Sequence, residues 1–417
     1  MLDRLDRLRH DLRPPPDPRS AVRDLVLLVS SSRGGSSVFA EALRRLPGTL
    51  HLRAEVNPFL RLAGFGWPDS GEDSDALGPA SRGDAESFAR QLSWDIGQPA
   101  TAQPDFERDL VWRLRVQWPD IPLDDTALLE LVRRTPGNPA DDLTGFHVRL
   151  LTRLRSRCAD IDPLAYDLDR GAVAAAFPEA GPPEGPPGPE VIEEPPFVAI
   201  GPWLRATADQ LAQMPLVVKA PANAYRLAWF RTMFTNARIR LLHLVRDPAA
   251  AINGVFDGWR SVGFHAHRVP EPLDIQGYTD HQPRSASWWK YDLPPGWRDH
   301  TASPLVDVCA FQWRSAHSAI LSQDLGLERK VFHFERFVRG ATERVELMRE
   351  VASWLGAPAS RAVLDGFREP PPTVMSTARP RLQRWFARRA EIEPVVARTA
   401  IRDLARELGC GPPGNWV

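Results

Sequence analysis

The segment VSSSRGGSSVF, near the start of the chain, has the residue types of an anion-binding loop. Gly34 and Gly35 would leave backbone N–H groups accessible, and Ser36 and Ser37 would begin a helix whose N-terminus attracts anions. ATP-binding loops of the G-x-x-x-x-G-K-[ST] type need a lysine that bridges the terminal phosphates, and Arg33 is the basic residue here. The segment therefore predicts an anion-binding loop of another kind, with a serine-rich helix cap as the alternative.

Two other segments place a basic residue at the end of a short apolar run. The run LVVK ends in Lys219, one of only three lysines in the chain, and the run IRLLHLV is followed by Arg246. The carboxyl ends of parallel strands meet at one edge of a sheet. We therefore expect Lys219 and Arg246 near the loop, although Lys219 could instead pair with an acid at the surface.

Apolar runs of this kind alternate with helical patterns along much of the chain. Short, mostly apolar runs are typical of strands that are covered on both faces in a parallel sheet. The alternation predicts an α/β fold with a doubly wound parallel sheet, whose ligand lies at the carboxyl ends of the strands. The predicted strands are 24–29, 216–219, 239–245 and 330–334, and the predicted helices are 36–46, 222–234, a helix after Pro248, and 342–354.

Two long segments interrupt this alternation. Residues 67–211 begin with a polar stretch, contain helical patterns and end in a proline-rich run, which predicts a helical insertion followed by an extended loop. Residues 256–304 are rich in Trp, His, Pro and Arg, which favours a lid with little helix or strand. The α/β core would then comprise 20–66 and 212–410. The tryptophans would line an acceptor pocket or pack the lid onto the core.

These motifs, in this order, resemble those of the sulfotransferase family. RGGSS is similar to its R-[ST]-G-[ST]-[ST] phosphosulfate loop, KAP to its K-x-P motif, RDP to its 3′-phosphate motif and FERF to its Y-E-x-L motif. Ser376 and Thr377, followed by Arg381, Arg384 and Trp385, resemble the C-terminal segment that closes over the nucleotide. The matched blocks cover the core, roughly half of the chain.

The resemblance implies a P-loop NTPase-like fold that binds 3′-phosphoadenosine 5′-phosphosulfate (PAPS) as co-substrate. A sulfuryl group carries less negative charge than a terminal phosphoryl group, so amides and basic side chains would hold it without a metal. The residues implied to bind PAPS are Arg33, Gly34, Gly35, Ser36, Ser37, Arg246, Asn253, Gly254, Arg381 and Arg384.

One position departs from the family pattern. The serine that usually binds the 3′-phosphate, eight residues after the arginine of the 3′-phosphate motif, corresponds to Gly254 in this sequence. Asn253 or a backbone amide would have to substitute for it, or the donor would bind more weakly. Glu335, in the FERF motif, is expected to hold a loop through hydrogen bonds.

Sulfuryl transfer requires a base for the acceptor hydroxyl and a cation near the oxygen that leaves. Glu55 follows the first helix, near the expected end of a second strand, and resembles the catalytic glutamate of tyrosylprotein sulfotransferases. An exposed turn carboxylate is the alternative interpretation of Glu55. Lys219 and Arg33 would stabilise the leaving group.

Histidine is the rival base, because many cytosolic sulfotransferases use one. His51 is the first alternative to Glu55, since it is close in sequence, and His147, His265 and His267 stay open. His243 lies within a predicted strand, so we expect it in the core.

The composition excludes several classes of protein. The formal charge is −1 and the pI is about 6.8, which gives no field for nucleic acid. No apolar run reaches the roughly 18 residues that a membrane span needs, and the first residues lack the apolar region of a signal peptide. Three separated cysteines predict neither a disulfide framework nor a zinc site. We expect a soluble, cytoplasmic protein, and the oligomeric state stays open.

The sequence therefore predicts a PAPS-dependent sulfotransferase that acts on a hydroxyl, or an amine, of a small-molecule acceptor. A bacterial specialised-metabolite pathway would suit the arginine-rich composition. Two alternatives stay open: a metal-dependent small-molecule kinase with a modified phosphate loop, and a non-catalytic nucleotide-binding relative.

Overall fold

The computed structural model describes residues 2–53, 55–166, 168, 170–180, 197–261, 265–323, 325–357, 359–374, 377, 380–412 and 416. Within these residues the chain forms a mixed α/β fold with a mostly parallel central sheet. The strands are β1 (Asp24–Val29), β2 (Leu50–His51), β3 (Gly97–Pro99), β4 (Trp203–Arg205), β5 (Leu216–Lys219), β6 (Arg238–Val245), β7 (Ala266–Arg268), β8 (Trp288–Lys290) and β9 (Glu328–His333).

Helices form a large part of the remaining described chain, and none of them is long and apolar enough to cross a membrane. They are α1 (Leu2–Arg7), α2 (Pro18–Ala21), α3 (Ser36–Leu43), α4 (Asn57–Leu62), α5 (Ala85–Ser93), α6 (Phe106–Gln117), α7 (Asp125–Arg133), α8 (Leu143–Arg155), α9 (Arg170–Ala176), α10 (Ala208–Gln213), α11 (Leu227–Met233), α12 (Pro248–Arg260), α13 (Leu305–Ser322), α14 (Phe334–Arg339), α15 (Ala341–Leu355), α16 (Arg361–Asp365), α17 (Arg389–Val396) and α18 (Thr399–Glu407).

The central sheet has the strand order β4-β3-β2-β5-β1-β6-β9. The strands from β2 to β9 in this order are parallel, and β3 is antiparallel to both of its neighbours. Strand β1 lies between β5 and β6 and is buried along nearly its whole length. A central strand of this kind is apolar on both faces, as the sequence predicts.

Successive residues of β1 pack into different hydrophobic clusters on the two faces of the sheet. Leu25 and Leu27 belong to a cluster with the helices of residues 57–234, whereas Val26 and Leu28 belong to one with α3 and α15. Side chains of a strand alternate between faces, so this division follows directly from the extended backbone. Helices on both faces of a mostly parallel sheet confirm the predicted α/β class.

The predicted elements of the core coincide with observed ones, with small differences at their ends. Strands β1 and β5 have the predicted bounds, and β9 ends at His333 because Phe334 already begins α14. The helix predicted over 222–234 was wrong in its first part, where a 3₁₀ turn (Pro221–Tyr225) precedes α11. Pro221 lacks a backbone N–H, and the residue before a proline is biased away from helical backbone.

Residues 67–211, predicted as a helical insertion, contain α5 to α9 and two short strands as well. Strands β3 and β4 extend one edge of the central sheet, and Phe88 and Leu110 belong to the same cluster as Leu25 of β1. The proline-rich end of this segment, 181–196, lies outside the described residues. The division into core and insertion stays a proposal.

The described residues of 256–304 contain little helix or strand, as predicted. The segment begins inside α12, and β7 and β8 pair as an antiparallel hairpin. Trp259, Trp289 and Trp297 are fully buried. The ring centroids of Trp259 and Trp289 lie 5.1 Å apart and those of Trp289 and Trp297 lie 5.6 Å apart, both in edge-to-face contacts. These indoles pack the segment onto the core, which is the second of the two roles considered for them.

A buried group of charges ties α6 to the N-terminal part of the chain. Asp109 of α6 pairs with Arg9 at 2.8 Å and with Arg53 at 2.6 Å, and all three side chains are buried. Burial alone would raise the pKa of Asp109, but the guanidinium groups of Arg53 and Arg9 outweigh it and hold the pKa well below the ordinary 3.8. The ionised carboxylate is therefore part of the folded state.

We expect Asp109→Asn to lower the free energy of unfolding by about 3–5 kcal/mol, because it leaves two buried guanidinium groups without their charge partner. Urea unfolding at pH 7 measures this. Glu393→Gln, which removes an exposed ion pair with Arg389, is the control and should cost less than about 1 kcal/mol.

The pH dependence gives a second measurement. The pKa of Asp109 is lower in the folded than in the unfolded protein. The ionised Asp109 therefore stabilises the fold at pH values above the unfolded pKa of 3.8, and this stabilisation is lost as the pH falls from there through the folded pKa. The variant should therefore lose less stability than wild type on acidification. Equal losses in the two proteins would contradict this account.

Candidate functional site

The carboxyl ends of neighbouring parallel strands bring the candidate residues to one edge of the sheet. Leu28 of β1 lies beside Lys219 of β5, and Val29 lies beside His243 of β6. The loop that follows β1 therefore lies between Lys219 and Arg246, which follows β6. Arg246 Nη1 donates a hydrogen bond to the carbonyl of Arg33 at 2.9 Å.

The loop has the backbone that its glycines permit. Gly35 has a φ of 91°, and a Cβ atom on it would lie 2.4 Å from the Phe334 ring. Helix α3 begins at Ser36, and no side chain caps its N-terminus. The first N–H groups of α3 are thus available to an anion, as the predicted loop requires.

Lys219 connects the loop with Glu55. Its Nζ donates to Ser37 Oγ at 2.9 Å and forms a salt bridge with Glu55 Oε1, and both charged side chains are at most 10% exposed. Asn57 Nδ2 donates to the other oxygen of Glu55 at 3.1 Å. Burial, with the nearby guanidinium groups of Arg44 and Arg33, lowers the pKa of Lys219 to about 7. The sequence left open that Glu55 is an exposed turn carboxylate and that Lys219 pairs with an acid at the surface. Both side chains are buried, so neither alternative describes this pair.

Two cavities meet at this point. The larger, of about 530 Å³, is lined by the loop and by Arg246, Phe334, Arg381 and Arg384. The smaller, of about 30 Å³, is lined by Glu55 together with other polar side chains, namely Asn57, Arg61, Asp75, Arg226, His265 and Asp292. Ser32, Pro221 and Tyr291 line both cavities. The loop after β1 therefore forms part of the wall between a large basic cavity and a small polar one.

Gly254 lies beside the two arginines of the loop region. A Cβ atom at this position would lie 3.3 Å from Arg33 Cβ and 3.4 Å from Arg246 Nη1, which is tight for such a contact. A serine here would require the Arg33 or Arg246 side chain to shift by a few tenths of an ångström.

Asn253 lies in a cluster that includes two residues that the sequence analysis missed. Arg388 donates to Asn253 Oδ1 and, at 3.0 Å, to Asp257, and Arg384 donates to Asp257 at 2.5 Å. Together with Arg381 these residues line an open cavity that shares Arg381 and Arg384 with the large one. The four-residue spacing 253–257 was a usable signal, because such residues share a face of an α-helix, here α12.

Glu335 makes the kind of contact that was expected of it. Its Oε1 accepts a hydrogen bond from the backbone N–H of Asp247 at 2.9 Å, which joins α14 to the turn after β6. Burial lowers the pKa of Arg246 to about 10, with Glu335 acting in the opposite direction. Ser376, in the C-terminal motif, lies outside the described residues, whereas Trp385 of that motif is buried.

The structure brings only one of the candidate histidines to the small cavity with Glu55. His265 lines it, and Arg61 Nη2 lies 2.6 Å from its Nε2. His51 is buried against Thr49, and burial lowers its pKa to about 3. His147 hydrogen-bonds to Tyr166 within the helical segment. His51 and His147 line neither of the two cavities at the loop.

The other two histidines have partners in the protein interior. His267 Nε2 lies 3.2 Å from Asp75 Oδ2. His243 is fully buried, as expected, and its Nε2 lies 2.8 Å from His317 Nδ1.

Comparisons with known proteins found solved structures of low similarity to this chain. No family model matches it, and no curated protein matches it. A solved sulfotransferase domain from the curacin biosynthetic pathway is 12% identical, covers 94% of this chain and 100% of its own, and has a TM-score of 0.39. A sulfotransferase domain from the Synechococcus PCC 7002 olefin synthase is 12% identical, with 96% and 100% coverage and a TM-score of 0.35. At such low scores, the function has to be argued from this chain's own residues.

Gly35→Ala should disrupt the loop, because the new methyl group meets the Phe334 ring in a backbone conformation that L-residues rarely adopt. We expect a loss of about 2–4 kcal/mol in the free energy of unfolding, from strain and overpacking together. Gly356→Ala is the matched control. Its φ is 71° but nothing lies near its Cβ position, so it should cost only about 1 kcal/mol. Equal losses in urea unfolding would mean that the Phe334 contact is unimportant.

Proposed function

We propose that this protein is a PAPS-dependent sulfotransferase that transfers a sulfuryl group to a hydroxyl of a small-molecule acceptor. One observation carries the proposal: Lys219 contacts Ser37 of the larger cavity and Glu55 of the smaller one. A cation and a carboxylate are thus available where an anion held by the loop would meet an acceptor. These are the two charges that sulfuryl transfer needs.

The larger cavity has the chemistry for the donor. Arg33, Arg246, Arg381 and Arg384 line it beside the uncapped start of α3, which suits the phosphate and sulfate groups of PAPS. The Phe334 ring, in the same wall, offers an apolar face. The cluster of Arg384, Arg388 and Asn253 is the proposed place of the 3′-phosphate, with Asn253 in the role that a serine usually has.

The proposed chemistry is a single transfer. PAPS supplies the sulfuryl group, whose bond to the bridging oxygen breaks as the acceptor oxygen bonds to sulfur. Glu55 accepts the proton of the acceptor hydroxyl. Lys219 and Arg33 stabilise the electron pair that remains on the bridging oxygen, and no metal ion takes part.

The contact between Lys219 and Glu55 links donor binding with base strength. A carboxylate beside an ammonium group is a weak base, because the cation stabilises its ionised form. When Lys219 interacts with a bound anion, Glu55 shares its cation and becomes more basic. The base is therefore most active when the donor is in place. The small cavity limits what reaches Glu55 to a slender polar group.

Parallel titrations with 3′-phosphoadenosine 5′-phosphate (PAP) and with ATP plus Mg²⁺ test the proposal. We expect PAP to bind more tightly, by at least about tenfold, since the 3′-phosphate adds charge-assisted hydrogen bonds. Preference for ATP with Mg²⁺ would favour a kinase. PAP binding without sulfated product, in a screen of hydroxyl-bearing metabolites with PAPS, would favour a non-catalytic nucleotide-binding protein.

Glu55→Gln tests the base directly once an acceptor is found. It should lower kcat by about a hundredfold to ten-thousandfold without weakening PAP binding, because the proton acceptor is lost while Lys219 stays available to the anion. The assay belongs near neutral pH, because the pKa of Lys219 is lowered to about 7 and the leaving group needs the protonated lysine. His51→Gln is the matched control and should keep wild-type turnover. An active Glu55→Gln variant would remove Glu55 from the mechanism.

A further inference from the structure

Asp292 is a buried carboxylate at the meeting point of the two cavities, and the transfer chemistry above makes no use of it. It is 5% exposed and lines the small cavity. Its Oδ1 accepts a hydrogen bond from Ser32 Oγ at 2.5 Å, and its Oδ2 accepts one from Tyr225 OH at 2.9 Å. Asp292 thus joins the hairpin region to the anion-binding loop and to the turn after β5.

The hydrogen bond between Ser32 and Asp292 is flanked by two strained residues. Arg33, next to Ser32, has a φ of 58°, and Tyr291, next to Asp292, has a φ of 64°. Residues other than glycine rarely adopt this left-handed backbone, and they keep it only where surrounding contacts hold them. The bond joins the two strained segments directly, so it is well placed to hold both.

The Asp292 end of this bond is fixed by its surroundings. The Asp292 carbonyl accepts hydrogen bonds from Trp289 Nε1 at 3.0 Å and from Gln312 Nε2 at 2.9 Å. The neighbouring Tyr291 packs against α12 at Gly258, where a Cβ atom would overlap its hydroxyl. At the loop end, Ser32 lies in the wall of both cavities, and the carbonyl of the neighbouring Arg33 accepts a hydrogen bond from Arg246. The bond from Ser32 to the fixed Asp292 is therefore a second tie on this part of the loop.

The negative charge of Asp292 is costly in this position. Burial raises its pKa to about 6, Asp75 adds to the effect, and the hydrogen bonds from Ser32 and Tyr225 oppose it. The other charged or titratable groups around the same cavity are Glu55, Arg61, Arg226, His265 and Tyr291. An asparagine would fill the same space without a buried charge, but it would present one acceptor oxygen in place of two.

We propose that Asp292 is a positioning residue, which holds the anion-binding loop in its binding conformation through Ser32. The inference rests on the proposed function, in which this loop binds the 5′-phosphosulfate end of the donor. An ionised carboxylate accepts strong hydrogen bonds at both oxygens. A neutral side chain offers a weaker acceptor, so the loop is held less firmly and binds its anion less tightly.

A double-mutant cycle with PAP as the probe tests this role. Asp292→Asn and Ser32→Ala should each weaken PAP binding by about tenfold at pH 8, and the double variant should be no weaker than either single variant. Non-additivity is expected because both changes remove the same bond. Additive losses, or an unchanged affinity in Asp292→Asn, would overturn the proposal.

Two controls separate positioning from structural support. Tyr225→Phe removes the other hydrogen bond to Asp292 and leaves the bond to Ser32, so PAP affinity should stay within about twofold of wild type. Asp292→Asn should melt no lower than wild type at pH 8, because it removes a buried charge. A lower melting temperature with unchanged PAP affinity would assign Asp292 a structural role alone.

The pH profile gives a readout that packing alone would not change. Wild type should lose its advantage over Asp292→Asn as the pH falls from 8 to 5, because Asp292 takes up a proton in this range. A phosphate group titrates near pH 6 as well, so the ratio of the two affinities is the quantity to compare. A ratio that stays constant with pH would contradict the proposal.

Hydrogen exchange distinguishes a failure of this inference from a failure of the proposed function. If wild type does not bind PAP, the proposed function fails, and the exchange of the amides of residues 30–37 in the ligand-free protein still tests Asp292. At pH 7 these amides should exchange about tenfold faster in Asp292→Asn than in wild type. Equal exchange in the two proteins would show that Asp292 does not hold the loop.

Discussion

A lysine that is buried at the end of a parallel strand must find acceptors for its protons, and this need organises the candidate site. Lys219 is 9% exposed, and it meets Ser37 and Glu55. To supply these partners, the loop after β1 and the segment after β2 must come to the same point as β5. The parallel pairing of β2, β5 and β1 makes this possible, since all three strands end on one side.

The walls of the larger cavity contain backbone that would not be stable in isolation. Arg33, Tyr291 and Gln383 are the non-glycine residues of the described chain with positive φ, and each lines this cavity or lies between residues that do. Strained residues of this kind cluster at functional sites, where other contacts maintain them. The packing of Trp259, Trp289 and Trp297 and the hydrogen bonds of Asp292 are such contacts. The site and the core therefore depend on each other.

The sequence could predict what depends on local pattern. The apolar runs of β1 and β5 gave their bounds, and the glycines and serines after β1 gave the turn that begins α3. Strands β3 and β4 could not be predicted, because three residues are too few for any periodic signal. The bond between Ser32 and Asp292 joins positions 260 residues apart, and only the folded sheet brings them together. The burial that lowers the pKa of Lys219 likewise arises only in the folded sheet, so the sequence could not predict it.

The buried indoles of residues 256–304 also decide how molecules enter. Swinging this segment outward would expose Trp259, Trp289 and Trp297 to water, at a cost of roughly 2–3 kcal/mol for each large side chain. That penalty is too great for a routine movement of the segment. The other segments that line the larger cavity, at 370–374 and 380–384, are more exposed to solvent, and the Leu382 side chain is nearly half exposed. Under the proposed function, selection among acceptors by a rigid hairpin would rest on fit to a preformed shape.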